Sequence, residues 1–233
     1  MIPTPQIVTS RRIVGNVQPI AEPTPYRIAI VGEAPGEDEE MHQYPFVGKS
    51  GQFLTNILHD VGIDRHRCFI GNVCQVRPPR TARGANDIAA FAWDGPEIQA
   101  GIHQLNEDIQ KFQPHICVLL GGTPLRVARG KGSKITAWRG SLFRGTEPGP
   151  FYQRKCIASI HPAAVLREFS WFPLLKFDLK RAREEGGSSE LYLPQRNLVT
   201  NFSPSSLCFI MDTWPAGQRC SIDIEGGLPL NLV

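Results

Sequence analysis

The apolar positions of this chain fall into short continuous runs separated by stretches of helical periodicity. Arg27-Ile-Ala-Ile-Val31 is a β-branched run closed by Gly32, the pattern of a strand buried on both faces. Phe53, Leu54, Ile57, Leu58 and Val61 then recur at helical spacing, and Gly62 stands where such a helix stops. Cys68–Val73 reads as a second strand that leads into a polar loop, Gln75–Arg83. Ile98, Ile102, Leu105 and Ile109 mark a second amphipathic helix, and His115–Leu120 a third strand closed by Gly121 and Gly122. Leu125–Ala128 begins a short helix. Lys155–Ile160 is a fourth strand that runs straight into His161, and Trp171–Glu185 is a final helix ending at Gly186-Gly187.

Strands alternating with helices predict an α/β fold, a three-layer α/β/α sandwich with a mostly parallel central sheet. Ligands of such sheets bind beyond the carboxyl ends of the strands. Three polar segments follow strands directly, Gly32–Gly36, Asn72–Arg80 and His161–Arg167, so all three open onto one crevice. Residues 26–186 form this domain. Residues 1–25 are a Pro-broken lead-in that folds only by packing on something else. Residues 187–233 read as a linker and tail, in which Ser221–Glu225 begins a new strand and suggests the start of a second domain.

Composition narrows the function only slightly. A net charge of +3 over 233 residues is too mild to argue for nucleic acid by itself, so a DNA partner rests on local clusters. No apolar run approaches the roughly 18 residues of a membrane span. The N-terminus lacks the apolar core of a signal peptide, which makes cytosol the expected compartment. The 6 cysteines include no Cys-x-x-Cys pair, and Cys117 and Cys156 lie inside strand-like runs as small buried hydrophobes.

Taken singly, the chemistry-bearing residues are unremarkable. Gly32-Glu-Ala-Pro-Gly36 followed by Glu37–Glu40 reads as an acidic surface turn, Phe46 as core, Asn72 as a turn residue and His161 as a loop histidine. Together, Gly32–Gly36, Pro45-Phe-Val-Gly48, Asn72, Arg77-Pro-Pro79 and His161-Pro-Ala163 resemble, in order and spacing, the family-4 (iron–sulfur type) uracil-DNA glycosylases. The resemblance covers roughly residues 26–183.

That resemblance implies hydrolysis of the bond between uracil and deoxyribose in single- or double-stranded DNA, leaving an abasic site. Glu33, Ala34 and Gly36 would hold the attacking water, with Glu33 orienting it. Phe46 would stack on the flipped uracil, and Asn72 would read its polar edge, since a carboxamide offers both a donor and an acceptor. His161 would donate to uracil O2 as negative charge develops on the leaving base. Val165 and Leu166 would wedge into the duplex while Arg167 meets phosphate, with Arg77, Arg80 and Arg83 as a second cationic cluster.

Some features depart from that pattern. The family's iron–sulfur cluster takes four cysteines, but here no Cys-x-x-Cys stands near the N-terminus, Val76 replaces a third, and Gly101 marks the region of the fourth. No cofactor and no metal are therefore expected. Gln75 stands where the family has a lysine. The inserted stretch Thr81–Gly95 has no evident role. Asp223 and Glu225, on alternate strand positions, resemble the first metal-binding motif of the proofreading exonuclease of family-A DNA polymerases. This implies a phage-like fusion and a DNA polymerase as a partner. Rival readings are a catalytically silent DNA- or uracil-binding module, a glycosylase for another deaminated base, and a nucleotide hydrolase with a metal loop at Glu37–Glu40.

Overall fold

The computed structural model describes residues 12–23, 25–80 and 87–192. The chain divides into two compact units, 1–192 and 193–233. The second unit, with the predicted strand at Ser221–Glu225, lies outside the described residues, as does Arg83.

The described residues form a five-stranded sheet of β1 (Ile28–Gly32), β2 (Phe69–Asn72), β3 (Ile116–Leu120), β4 (Leu142–Arg144) and β5 (Lys155–Ser159), in the order β2-β1-β3-β5-β4. All neighbours run parallel except β4, which pairs antiparallel with the outer edge of β5. The helices are α1 (Glu37–His42), α2 (Lys49–Asp60), α3 (Pro96–Phe112), α4 (Gly122–Arg129), α5 (Ile135–Trp138), α6 (Pro162–Arg167) and α7 (Phe172–Glu185).

Every residue of β1, β2, β3 and β5 is buried, because helices cover both faces of the sheet. Ile28 and Ile30 point to one side and pack with Leu54 and Leu58 of α2 and Leu175 and Leu179 of α7. Ala29 and Val31 point to the other and pack with Leu105 and Ile109 of α3 and Leu125 and Ala128 of α4. The predicted three-layer arrangement is the observed one.

Three short helices and the edge strand were not predicted. Six residues in α1, four in α5 and six in α6 are too few to display a hydrophobic period, and β4 has only three. The helix α6 changes the reading of its segment, which was expected to be a loop. Pro162 opens it, as proline at a first helical position commonly does. The helical turn then aims Val165 into the core at 0% exposure and Leu166 outward at 46%. Of the two residues expected to form a wedge, Val165 is a core residue and only Leu166 is exposed.

The lead-in packs along the open edge of β2. Isolated bridges join Ile13 to Val76 and Val17 to Ile70, both antiparallel. The Asn16 carboxamide ties this strap to α3 by donating to Asp108 Oδ2 at 2.8 Å, and to β2 by accepting from the Asn72 N–H at 3.2 Å. The strap covers Gln75 and Val76, so the loop predicted to be polar begins with two buried residues. The Gln75 side-chain nitrogen meets no acceptor among the described residues, an unfavourable state for a buried donor.

Candidate active site

β1 is flanked by β2 on one side and β3 on the other, so the chain leaves β1 in one direction and later returns on its far side. Such a switch in strand order opens a crevice at the carboxyl ends. A cavity of about 700 Å³ occupies it, within the range of ligand pockets. Glu33, Ala34 and Gly36 after β1, Asn72 at the end of β2, and His161 and Arg167 after β5 all line it. Arg139, beside α5, and Trp171 and Leu174, which the sequence reading did not anticipate, line it as well.

Phe46 and Asn72 converge over Gly32. A Cβ on Gly32 would lie 2.5 Å from Phe46 Cζ and 2.6 Å from Asn72 Oδ1, so only glycine leaves room for both side chains. Phe46 is buried and sits at φ +55°, in the left-handed region that a bulky side chain rarely enters. Such a residue stores roughly 1–3 kcal/mol of strain and persists only where its surroundings enforce it. Its ring lies 6.0 Å from the His161 ring at an interplanar angle of 27°.

His161 caps α6, its Nδ1 accepting the Ala163 N–H at 3.1 Å. Burial, reinforced by the Arg167 charge, pushes its pKa down to about 4. The imidazole is therefore neutral at pH 7. With Nδ1 committed as an acceptor, Nε2 carries the hydrogen, and the ring enters the cavity as a donor.

The carboxylates divide by role. Glu33 accepts a hydrogen bond from Thr123 Oγ1 of α4, and its backbone carbonyl accepts the Cys74 N–H at 2.9 Å. Glu39 is buried and accepts the Gly36 N–H at 3.0 Å and the Gly48 N–H at 2.9 Å, fastening the Glu33 loop to the Phe46 loop. Neither Thr123 nor Glu39 was identified from the sequence. Glu39 stood in a run of four acids, and nothing local distinguishes the buried one.

Glu37 and Glu40 answer Arg77, at 3.2 and 3.1 Å, and Glu37 also pairs with Arg80. The two arginines expected to meet phosphate are thus engaged with the acidic helix α1, and each set of charges neutralises the other. This corrects the picture of Arg77 and Arg80 as a bare cationic cluster. It also leaves the rival metal loop at Glu37–Glu40 with no spare carboxylate set. No group of three or more metal-capable side chains occurs among the described residues. Arg167 lines the cavity, Leu166 beside it in sequence is exposed, and the exposed ring of Phe169 stacks on Phe172 at 5.2 Å.

An iron–sulfur cluster of the kind the resemblance implies needs four thiolates. The described cysteines are buried and scattered. Cys117 and Cys156 pair across β3 and β5, and Cys68, whose thiol burial pushes up to about 12, precedes β2. Near Gly101 a Cβ would fall 2.2 Å from the Val73 carbonyl oxygen, so no cysteine fits there without moving backbone. Val76 is sealed beneath the lead-in strap. The described residues do not fit the cluster.

The cavity at the switch point thus brings together an aromatic ring, a carboxamide and an imidazole from three separate segments of the chain. Residues 20–182 match the uracil DNA glycosylase superfamily, and the chain belongs to that superfamily. Among its relatives are type-4 uracil-DNA glycosylases. That of Thermotoga maritima is 36% identical over 146 residues, spanning 62% of this chain and 68% of the relative. That of Saccharolobus solfataricus is 29% identical over 171 residues, 71% and 74% of the two chains. That of Sulfurisphaera tokodaii is 32% identical over 164 residues, 67% and 69%.

Proposed function

We propose that this chain is a uracil-DNA glycosylase that hydrolyses the N-glycosidic bond of deoxyuridine in DNA and leaves an abasic site. The observation that carries the reading is the convergence of Phe46, Asn72 and His161 on one cavity at the strand ends.

The chemistry follows from those groups. A uracil turned out of the stack stacks on the Phe46 ring, and the Asn72 amide pairs with its polar edge. Cytosine would oppose donor to donor there and leave buried polar groups unpaired. As the bond from C1′ to N1 breaks, its electron pair moves onto the base and negative charge gathers at O2. The His161 Nε2–H stabilises that charge, and neutrality helps, since no proton need transfer before the bond breaks. The sugar is left as an oxocarbenium ion. Glu33, held through one oxygen by Thr123, orients a water that adds to C1′ and passes its proton to the Glu33 carboxylate, from which it reaches the released uracil anion through solvent. Leu166 fills the vacated stack and Arg167 meets a flanking phosphate. The cysteine pattern and the crowding at Gly101 support a reaction that runs without an iron–sulfur cluster.

Alkaline cleavage of single- and double-stranded oligonucleotides bearing one uracil tests the reading. Wild type should yield strand scission, and His161→Ala and Asn72→Ala should each lower the rate by about 10²–10³-fold, the usual cost of removing one such donor. Wild type that binds DNA but cleaves no more than the variants would leave only a binding module.

A further inference from the structure

Phe46 cannot hold its own geometry. At φ +55° its backbone is strained, yet its ring must stay fixed if a base is to stack on it. The enforcement acts on the backbone, from a residue outside the base cavity. Arg65 lies in the short turn between α2 and β2 and does not line that cavity. Its Nη1 donates to the Phe46 carbonyl at 2.9 Å and to Thr55 Oγ1 at 2.8 Å, and its Nη2 donates to the Pro45 carbonyl at 2.7 Å. One planar guanidinium thus spans two successive carbonyls and an anchor on α2, a geometry that lysine reproduces only in part. Gly51 allows the approach, since a Cβ there would fall 2.0 Å from the Phe46 oxygen. Thr55 is itself fastened, donating to the Gly51 carbonyl at 2.9 Å. Burial lowers the pKa of the Arg65 guanidinium, so this charge is partly desolvated to make these contacts.

We propose that Arg65 is a positioning residue for base excision: by gripping the Pro45 and Phe46 carbonyls it sets the plane of the ring on which the flipped uracil stacks. The inference rests on Phe46 being the stacking residue.

A double-mutant cycle tests it, using single-turnover rates on a uracil oligonucleotide and inhibition by free uracil, with thermal unfolding as the control for folding. Arg65→Met should slow excision by about 10–10²-fold, the scale expected for a misplaced contact, and weaken inhibition by free uracil alongside it. Arg65→Lys should recover part of both losses. In a Phe46→Ala background, Arg65→Met should cost less than about twofold, because the ring it positions is gone. An Arg65→Met enzyme that keeps its rate and its inhibition by uracil overturns the proposal. So does an equal loss with or without Phe46, which marks a general structural role. If Arg65→Met does not fold, Thr55→Val, which removes only the anchor, must reproduce a smaller loss that also vanishes without Phe46. A Phe46→Ala enzyme of full activity is a separate failure, of the stacking role itself.

Discussion

Gly32→Ala is the smallest change that should disable the pocket. The new methyl would stand 2.5 Å from Phe46 Cζ and 2.6 Å from Asn72 Oδ1, against the roughly 3.5 Å of ordinary carbon contact. The backbone cannot retreat. Gly32 pairs in register with Asn72, and its carbonyl accepts the Val73 N–H at 3.0 Å. The ring and the amide must therefore each move by about 1 Å. A displacement of that size costs about 10²-fold in rate, or about 2.7 kcal/mol in the barrier. Overpacking should cost about 1–3 kcal/mol of stability, which for a domain of this size lowers Tm by roughly 2–12 °C. Single-turnover cleavage well below Tm separates the two effects. Gly187→Ala is the control, since nothing lies within 4 Å of that added methyl. Folded Gly32→Ala protein within about threefold of wild type would refute the convergence of Phe46 and Asn72 on the base.

Further outcomes are expected. Burial holds the His161 pKa near 4, so excision should stay level from pH 8 to about 5 and fall near 4. An acid limb centred near the ordinary value of about 6.5, and absent from His161→Gln, would contradict this. The same shift makes the unfolded chain bind more protons between pH 6.5 and 4, so thermal stability should decline as pH falls through that window. Leu166→Ala should slow excision from duplex more than from single strands without lowering Tm. Val165→Ala should do the reverse, losing about 1–3 kcal/mol of stability with little change in strand preference. Asn16→Ala removes a brace between Asp108 and the Asn72 backbone N–H, and should lower stability by about 1 kcal/mol and slow excision modestly. Elemental analysis of freshly purified protein should find iron far below one cluster per chain, and stoichiometric iron with acid-labile sulfide would overturn the fit argument.

The sequence by itself determined the four buried parallel strands and the long helices. Buried parallel strands and helices of three or more turns carry their periods in the local order of residues, as β1 and α3 do. The resemblance to the family-4 uracil-DNA glycosylases implied that Glu33, Phe46, Asn72 and His161 share one site, and all four line the same cavity. Only the tertiary structure decided what depends on contacts between distant segments. Val165 and Leu166 are adjacent in sequence, and a six-residue helix sends one into the core and the other to solvent. Arg77 and Arg80 read as cations for phosphate until α1 supplies their carboxylates from about forty residues away. Thr123 meets Glu33, Arg65 grips Phe46, and Asn16 braces Asn72, each across a chain separation that leaves no local pattern. Local order encodes which segments fold and in what form. Which polar groups satisfy one another at the strand ends is settled only when the sheet has brought those ends together.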